Sequence, residues 1–285
     1  MLSKKSGSLL VLASSLVLAA LPAIAQTQSG AAASPSTTTL ISTDLLAPRQ
    51  HAPMRLHGNG LATDGSVTSE NWSGFAVTGS AFTVAKGSWT IPTVNCTKTP
   101  STYSSFWVGI DGYSSSTVEQ TGTDSDCSGS SPRYYAWYEF YPAGSILISS
   151  VPVSPGNKMS ASVTYSGSEF TIKITNVTTG KTFSKSSRVS GAQRTSAEWI
   201  AEAPCCTRSG GILPLADFGT VDLGSDYTGV SGTNDATDGA ISGPISEFGS
   251  SVFSITMVSS GGANEAVPSA LSADGTSFDV VWKSE

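Results

Sequence analysis

The sequence predicts an all-β protein, an antiparallel sandwich of two sheets in a single domain. Short segments rich in β-branched and aromatic residues alternate in side-chain character, and Gly, Ser, Asn or Pro bounds them. No segment of the 285 residues has the periodicity of an amphipathic helix longer than about two turns. Because no motif repeats at a fixed spacing, a propeller or a solenoid is not expected.

Six segments carry the strand pattern most clearly, and they are residues 105–111, 134–141, 159–165, 170–175, 252–258 and 277–282. Between 172–177 and 182–184, the sequence TTGK (178–181) has the composition of a hairpin loop. Segment 196–203 is ambiguous, since its Ala and Glu residues favour a helix. It is too short for a helix that is stable by itself, and the β-rich setting favours a strand.

The first 25 residues are predicted to be a secretory signal peptide. Lys4 and Lys5 form a short basic region, residues 9–20 are apolar apart from two Ser, and Ala-Ile-Ala (23–25) is a small-residue cleavage pattern. Spanning a bilayer takes about 20 apolar residues, and this run is shorter. We therefore expect export, to the periplasm or the medium, and no membrane association of the mature protein.

Residues 26–69 differ in composition from residues 70–285. The first part is rich in Ala, Ser and Thr, and the second part is irregular, with two Pro and two Arg. The absence of a sustained period argues against a packed core element. A linker or disordered tail is one interpretation, and a pro-segment is the favoured one because a structured domain comes directly after it. Residues 70–285 are then the mature domain.

The charge balance excludes several classes of function. The chain has 15 Lys and Arg against 21 Asp and Glu, and only 13% of its residues are charged. Without basic runs, nucleic-acid binding is not expected. Four of the basic and two of the acidic residues precede Glu70, which leaves 11 and 19 and a net charge of −8 for residues 70–285.

Both histidines, His51 and His57, lie in the predicted pro-segment. A mature domain without His cannot use Ser-His-Asp or Cys-His catalysis, and it lacks the usual zinc ligands. We therefore expect no metal and no cofactor. Carboxylates, amides and hydroxyls remain as catalytic groups.

The four cysteines, Cys96, Cys127, Cys205 and Cys206, are expected to form disulfides in an exported protein. Cys96–Cys127 with a local Cys205–Cys206 bridge is one arrangement. Two long cross-links are the alternative, and the spacing does not decide between them.

Strand alternation sorts the chemically interesting side chains onto faces. In 134–141, Tyr135, Trp137, Glu139 and Tyr141 share one face, and a charge on an aromatic face needs partners or water. The other such groups are Trp107 with Gly109 and Asp111, Val118 with Gln120, Gly122 and Asp124, and Glu198 with Glu202.

Several motifs in a fixed order resemble the glutamic peptidases, the acid-acting eqolisin family of secreted endopeptidases. They are NWSG (71–74), WVGIDG (107–112), QTG (120–122), AWYE (136–139), YP (141–142) and AEWIAE (197–202), together with NVTTGK (176–181). WVGIDG is the most specific of them. The resemblance covers most of residues 71–282 and is weak after Pro204. It implies a concanavalin-like sandwich that is monomeric and cleaves protein and peptide substrates.

The resemblance implies a catalytic pair, Gln120 of QTG and Glu202, the second Glu of AEWIAE. A carboxylate can activate the attacking water and return its proton to the leaving amine. An amide can donate a hydrogen bond to the developing oxyanion without titrating. By motif position, Trp72, Trp137 and Tyr141 line the substrate cleft, and Trp107, Asp111, Asp124 and Glu139 surround the pair. Glu198 shares the face of Glu202 but has no counterpart among the catalytic residues.

Two other functions compete with this interpretation. An aromatic sheet face also suits a carbohydrate-binding protein or a glycosidase, in which Glu139 and Glu202 are the two carboxylates. A non-catalytic binding module is the third possibility.

The pro-segment is expected to inhibit the mature domain. Its histidines and arginines become more positive as the pH falls through about 6.5, whereas the carboxylates lose charge near about pH 4. The sequence therefore predicts release in stronger acid and self-cleavage within residues 66–71.

Overall fold

The structure, a computed structural model, describes residues 49–58, 65–205, 211–239 and 241–285, which belong to one compact unit. The predicted signal peptide, the pro-segment up to residue 48 and Cys206 lie outside the described residues.

The described residues form 17 strands, and most of them are short. In chain order they are β1 (Ser66–Ser69), β2 (Trp72–Thr78), β3 (Phe82–Thr90), β4 (Ser105–Ile110), β5 (Val118–Ser128), β6 (Ser131–Tyr141), β7 (Ile146–Ile148), β8 (Lys158–Ser166), β9 (Glu169–Asn176), β10 (Lys181–Ser187), β11 (Ser196–Glu202), β12 (Thr220–Leu223), β13 (Asp235–Asp238), β14 (Ile241–Pro244), β15 (Val252–Val258), β16 (Asn264–Pro268) and β17 (Phe278–Trp282).

The strand pairings define two sheets. The first has the order β1-β15-β2-β11-β4-β5-β6-β7. The second has the order β10-β9-β8-β3-β13-β14. Strand β12 pairs with β3 at Trp89, β17 pairs with β12, and β16 pairs with β17. Strand β16 also pairs with β15, which joins the sheets. Strand β1 pairs in parallel with β15, and every other strand pair of the described residues is antiparallel.

A hydrophobic core fills the space between the two sheets. The first sheet contributes Phe106, Val108 and Trp199, and the second contributes Trp89 and Ile172, all of them buried. Burying one such large side chain stabilises the fold by about 1.5–3 kcal/mol relative to leaving it exposed. A second, smaller apolar cluster lies on the opposite face of the first sheet, and it includes Trp72, Trp107, Trp137 and Ile200. The first sheet is therefore covered on both faces.

The structure confirms the predicted all-β sandwich. All six predicted segments are strands, β9 and β10 form the predicted hairpin, and segment 196–203 is a strand, β11. Within the described part of the chain, helical structure is limited to α1 (Ser225–Thr228) and a 3₁₀ segment, Ile245–Ser251. No helix of the described residues is long and apolar enough to cross a membrane.

The predicted pro-segment differs from the sequence expectation in one respect. Residues 49–58 were expected to lie outside any packed element, but His51 and Ala52 are buried against the first sheet. Residues 66–69, where self-cleavage is predicted, form strand β1. The segment that the composition marks as irregular is thus built into the fold.

Cys96 and Cys127 form a disulfide, and their sequence separation is 31 residues. This agrees with the first of the two predicted arrangements. Cys205 is also disulfide-bonded.

Replacing both Cys96 and Cys127 by Ala should lower the free energy of unfolding by about 3–4 kcal/mol, because the unfolded chain regains the entropy of an open loop. Guanidinium denaturation of the oxidised wild type and the double variant, run side by side, measures the difference. Equal midpoints and slopes for the two proteins would contradict the expectation.

Candidate active site

The predicted catalytic pair lies on the outer face of the first sheet, opposite the main core. Gln120 on β5 is paired with Glu139 on β6, and Glu202 on β11 is paired with Trp72 on β2. All four side chains are fully buried. Because neighbouring strands bring residues of one face side by side, the alternation in β5, β6 and β11 is what assembles the site.

Gln120 is held by Glu139. Its Nε2 donates hydrogen bonds to Glu139 Oε2 at 3.0 Å and to the main-chain oxygen of His51 at 2.8 Å. The main-chain nitrogen of His51 donates to the same Glu139 oxygen at 3.0 Å. Burial raises the pKa of Glu139 well above its ordinary value. The amide of Gln120 is therefore oriented with its donor towards a peptide carbonyl.

Glu202 is held by Trp107 of β4, whose indole nitrogen donates to Glu202 Oε2 at 2.8 Å. Trp107 is paired with Gly122 on β5, and a Cβ at position 122 would lie 2.5 Å from the Cβ of Trp107. Glycine at position 122 thus leaves room for the Trp107 side chain. Burial raises the pKa of Glu202 well above its ordinary value, and the nearby carboxyls of Glu139 and Asp124 add to the rise.

Asp124 adds a third carboxyl to the site. It accepts hydrogen bonds from Ser105 Oγ and from the hydroxyl of Tyr135, the latter at 2.8 Å. The same hydroxyl lies 2.8 Å from Asp126 Oδ2. Burial raises the pKa of Asp124 and raises that of Asp126 to about 7. A proton is therefore easily retained in this cluster near neutral pH.

His51 of the predicted pro-segment occupies the centre of the site. Its ring is fully buried and stacks on the indole of Trp137, with 3.6 Å between ring centroids and 8° between planes. Nδ1 lies 3.2 Å from Glu202 Oε2, and Nε2 lies 3.7 Å from Asp124 Oδ1. Burial lowers the pKa of His51. Sequence reasoning did not place His51 here.

The domain also binds the main chain on both sides of His51. The Gln50 oxygen accepts from Cys205 N at 2.9 Å, and the Ala52 oxygen accepts from the Trp72 indole at 3.2 Å. Further along, Met54 N donates to Gly112 O at 3.0 Å. Main-chain contacts of this kind do not depend on side-chain identity, so the site holds residues 50–54 as an extended peptide.

Most of the predicted cleft residues lie on the outer face of the first sheet, around Gln120 and Glu202. Trp72, Trp107 and Trp137 are fully buried on the outer face, Asp124 and Glu139 adjoin the pair, and Tyr141 packs partly buried against the same apolar cluster. Among the described residues, no group of His, Cys, Asp and Glu side chains has the arrangement of a metal site.

Asp111, which is predicted to surround the pair, has main-chain hydrogen-bond partners in the loop before β11. Asp111 follows the last residue of β4 and has a φ of 70°, so its side chain does not continue the alternation of the strand. Its carboxylate accepts hydrogen bonds from the main-chain nitrogens of Gln193, Arg194 and Thr195 at 2.8, 2.7 and 2.9 Å. Asp111 therefore anchors the loop that leads into β11, the strand of Glu202.

The fold and the site define a class of protein, a β-sandwich in which one sheet binds an extended peptide across a buried Gln–Glu pair. Residues 70–265 match the Peptidase A4 family, and the chain belongs to this family. It is 32% identical to aspergillopepsin-2 of Aspergillus niger in an alignment of 177 residues that covers 54% of this chain and 62% of that protein. It is 33% identical to scytalidopepsin B of Scytalidium lignicola over 176 residues, 60% of this chain and 66% of that protein. Each match thus spans less than two thirds of the relative.

Solved structures agree with this assignment. Scytalido-glutamic peptidase with a transition state analog inhibitor superposes with a TM-score of 0.62 at 27% identity, covering 75% of this chain and 98% of that one. Aspergilloglutamic peptidase from Aspergillus niger gives a TM-score of 0.53 at 27% identity, with coverages of 64% and 99%. The resemblance to the glutamic peptidases is confirmed.

Proposed function

We propose that residues 70–285 are a secreted acid endopeptidase of the glutamic type, in which Glu202 is the general base and acid and Gln120 stabilises the oxyanion. One observation carries the proposal: the main-chain oxygen of an extended peptide segment lies 2.8 Å from Gln120 Nε2, in a site that also contains Glu202. A peptide substrate bound in the same way has its carbonyl on the amide donor.

The reaction then needs only a water molecule. Glu202 takes a proton from the water, whose oxygen attacks the substrate carbonyl carbon, and Gln120 donates to the oxygen that becomes negative. Glu202 afterwards gives the proton to the leaving nitrogen. Trp107 and Glu139 are positioning residues, because their hydrogen bonds fix the orientation of Glu202 and Gln120.

The pro-segment is the inhibitor in this proposal. With His51 in the site, Glu202 is fully buried and its pKa is raised. Removing residues 49–58 restores solvent to the cleft and lowers the pKa of Glu202 towards its ordinary range near about 4.5, so that the carboxylate is available in mild acid. Export through the predicted signal peptide, followed by removal of the pro-segment, completes the proposed route to a monomeric secreted enzyme.

The decisive experiment compares two kinds of substrate. The protein freed of its pro-segment should digest an acid-denatured protein at about pH 4, where carboxylates of ordinary pKa are partly ionised. Oligosaccharides incubated in parallel should stay intact. Sugar release without proteolysis would replace the proposal with the glycosidase alternative, and binding without either reaction would favour a non-catalytic module.

A further inference from the structure

The pro-segment is bound as a substrate would be, with one peptide bond at the reacting position. The carbonyl oxygen of His51 accepts from Gln120 Nε2 at 2.8 Å, and its nitrogen donates to Glu139 at 3.0 Å. The next carbonyl, that of Ala52, accepts from the Trp72 indole at 3.2 Å and from Asn71 Nδ2 at 3.4 Å. The bond between residues 51 and 52 is thus held on both sides of the carbonyl that contacts Gln120.

The two residues before His51 are also held, by hydrogen bonds to their main-chain oxygens and by a contact between a guanidinium and an aromatic ring. The main-chain oxygen of Arg49 accepts from Ser145 Oγ, and the oxygen of Gln50 accepts from Cys205 N at 2.9 Å. The Arg49 guanidinium stacks over the Tyr103 ring, 4.4 Å from its centroid. These contacts fix the register of the segment. Another carbonyl can therefore reach Gln120 Nε2 only if all of these contacts break.

The His51 side chain occupies the place that the water needs. Glu202 must contact the attacking water. However, the imidazole Nδ1 lies 3.2 Å from Glu202 Oε2, and the Trp107 indole nitrogen donates a hydrogen bond to the same oxygen at 2.8 Å. The ring is fixed from its face by Trp137 and from its far edge by Asp124. The segment therefore presents its carbonyl to Gln120 while its own side chain excludes the nucleophile.

On this basis, and resting on the proposed roles of Gln120 and Glu202, we propose that the His51–Ala52 peptide bond is a latent cleavage site, protected from hydrolysis by the imidazole of His51. Once the imidazole leaves, water takes its place beside Glu202. The water oxygen attacks the carbonyl carbon of residue 51, its proton passes to Glu202, and the C–N bond to Ala52 breaks. Glu202 then protonates the Ala52 nitrogen, which leaves a carboxyl group at residue 51 and a new amino terminus at Ala52.

The test uses the full chain with His51→Ala, which removes the imidazole and leaves its place beside Glu202 open to water. At about pH 4, chains beginning at Ala52 should form at least about tenfold faster than in the wild type. His51→Asn, which keeps a hydrogen-bonding atom near the position of Nδ1, should remain as slow as the wild type. His57→Ala is the matched control, because His57 lies at the rim and faces Glu70, with 3.6 Å between Nδ1 and Oε1. Mass spectrometry of the new termini is the measurement.

Two results would overturn the inference. One is a His51→Ala chain that digests added protein but never yields an Ala52 terminus, and the other is equal rates of 51–52 cleavage in His51→Ala and wild type. If the variant does not fold, a synthetic peptide of residues 49–58 given to the mature domain decides instead. The wild-type peptide should inhibit and stay intact, whereas the His51→Ala peptide should be cut between residues 51 and 52. A mature domain that cleaves no protein at all would refute the proposed function itself.

Discussion

Replacing Glu202 by Gln should lower the rate of peptide hydrolysis by about 10²–10⁴-fold, since the amide cannot accept the proton of the attacking water. The substitution keeps the size of the side chain and an oxygen for the Trp107 indole, which now donates to Glu202 at 2.8 Å. Folding should therefore be preserved. The measurement is kcat/KM on a quenched-fluorescence peptide at about pH 4, together with a denaturation curve to confirm the fold.

Glu198→Gln is the matched control for Glu202→Gln. Glu198 lies on the same strand and the same face, four residues away, and is also fully buried. Its activity should stay close to that of the wild type. Gln120→Ala should lower kcat by about 10²–10³-fold, the loss expected for one oxyanion donor. If Glu202→Gln retained full activity while Glu198→Gln lost it, the assignment of the base would be reversed.

The second large effect is a loss of stability as the pH rises. Burial raises the pKa of Glu119 to about 9, with the Asp111 carboxylate adding to the rise. Burial also raises the pKa of Glu198 well above its ordinary value, and the nearby carboxyls of Asp111 and Glu119 raise this pKa further. The folded pKa exceeds the unfolded one, so these groups contribute fully to stability below about pH 4.5 and less as the pH rises. For Glu119 the loss extends to about pH 9, at roughly 1 kcal/mol per pH unit.

The double variant Glu119→Gln/Glu198→Gln should flatten this dependence, because neither amide has a proton to lose. Urea denaturation at about pH 4 and about pH 8 gives the two free energies of unfolding for each protein. The variant should resemble the wild type in acid and exceed it at the higher pH. Glu169→Gln, at an exposed position on β9, is the control. A double variant with the wild-type pH dependence would show that other groups are responsible.

The strands of the sandwich could be predicted where apolar and polar side chains alternate clearly. Strands such as β6 and β15 have this pattern, and the two faces assigned to β6 are the observed ones. Strand β2 was recognised as a motif but not as a strand, since its Ser, Gly and Ala residues blur the alternation. Short strands such as β13 and β14 depend on pairing with distant residues, which local patterns do not encode.

The positions of Gln120 and Glu202 on one sheet face were predictable for a different reason. Gln120 and Glu202 follow the periodicity of their strands, so motif and parity point to the same face. Asp111 departs from this rule because it lies just past the end of β4 with a positive φ. His51 could not be placed from sequence, since a peptide held through its main chain leaves no periodic side-chain signal. The composition did show that both histidines lie in one short segment.

Strand β1 has a consequence for the mature protein. It covers the edge of β15 by pairing Ser66 to Ser69 with Ser254 to Met257. If maturation removed everything before Glu70, those four residues of β15 would present unpaired main-chain donors and acceptors on that side, a template onto which another chain can add a strand. A chain that begins before Ser66 keeps β1, which covers this edge of β15. In the proposed maturation, the position of the cut would therefore govern resistance to self-association as well as access to the cleft.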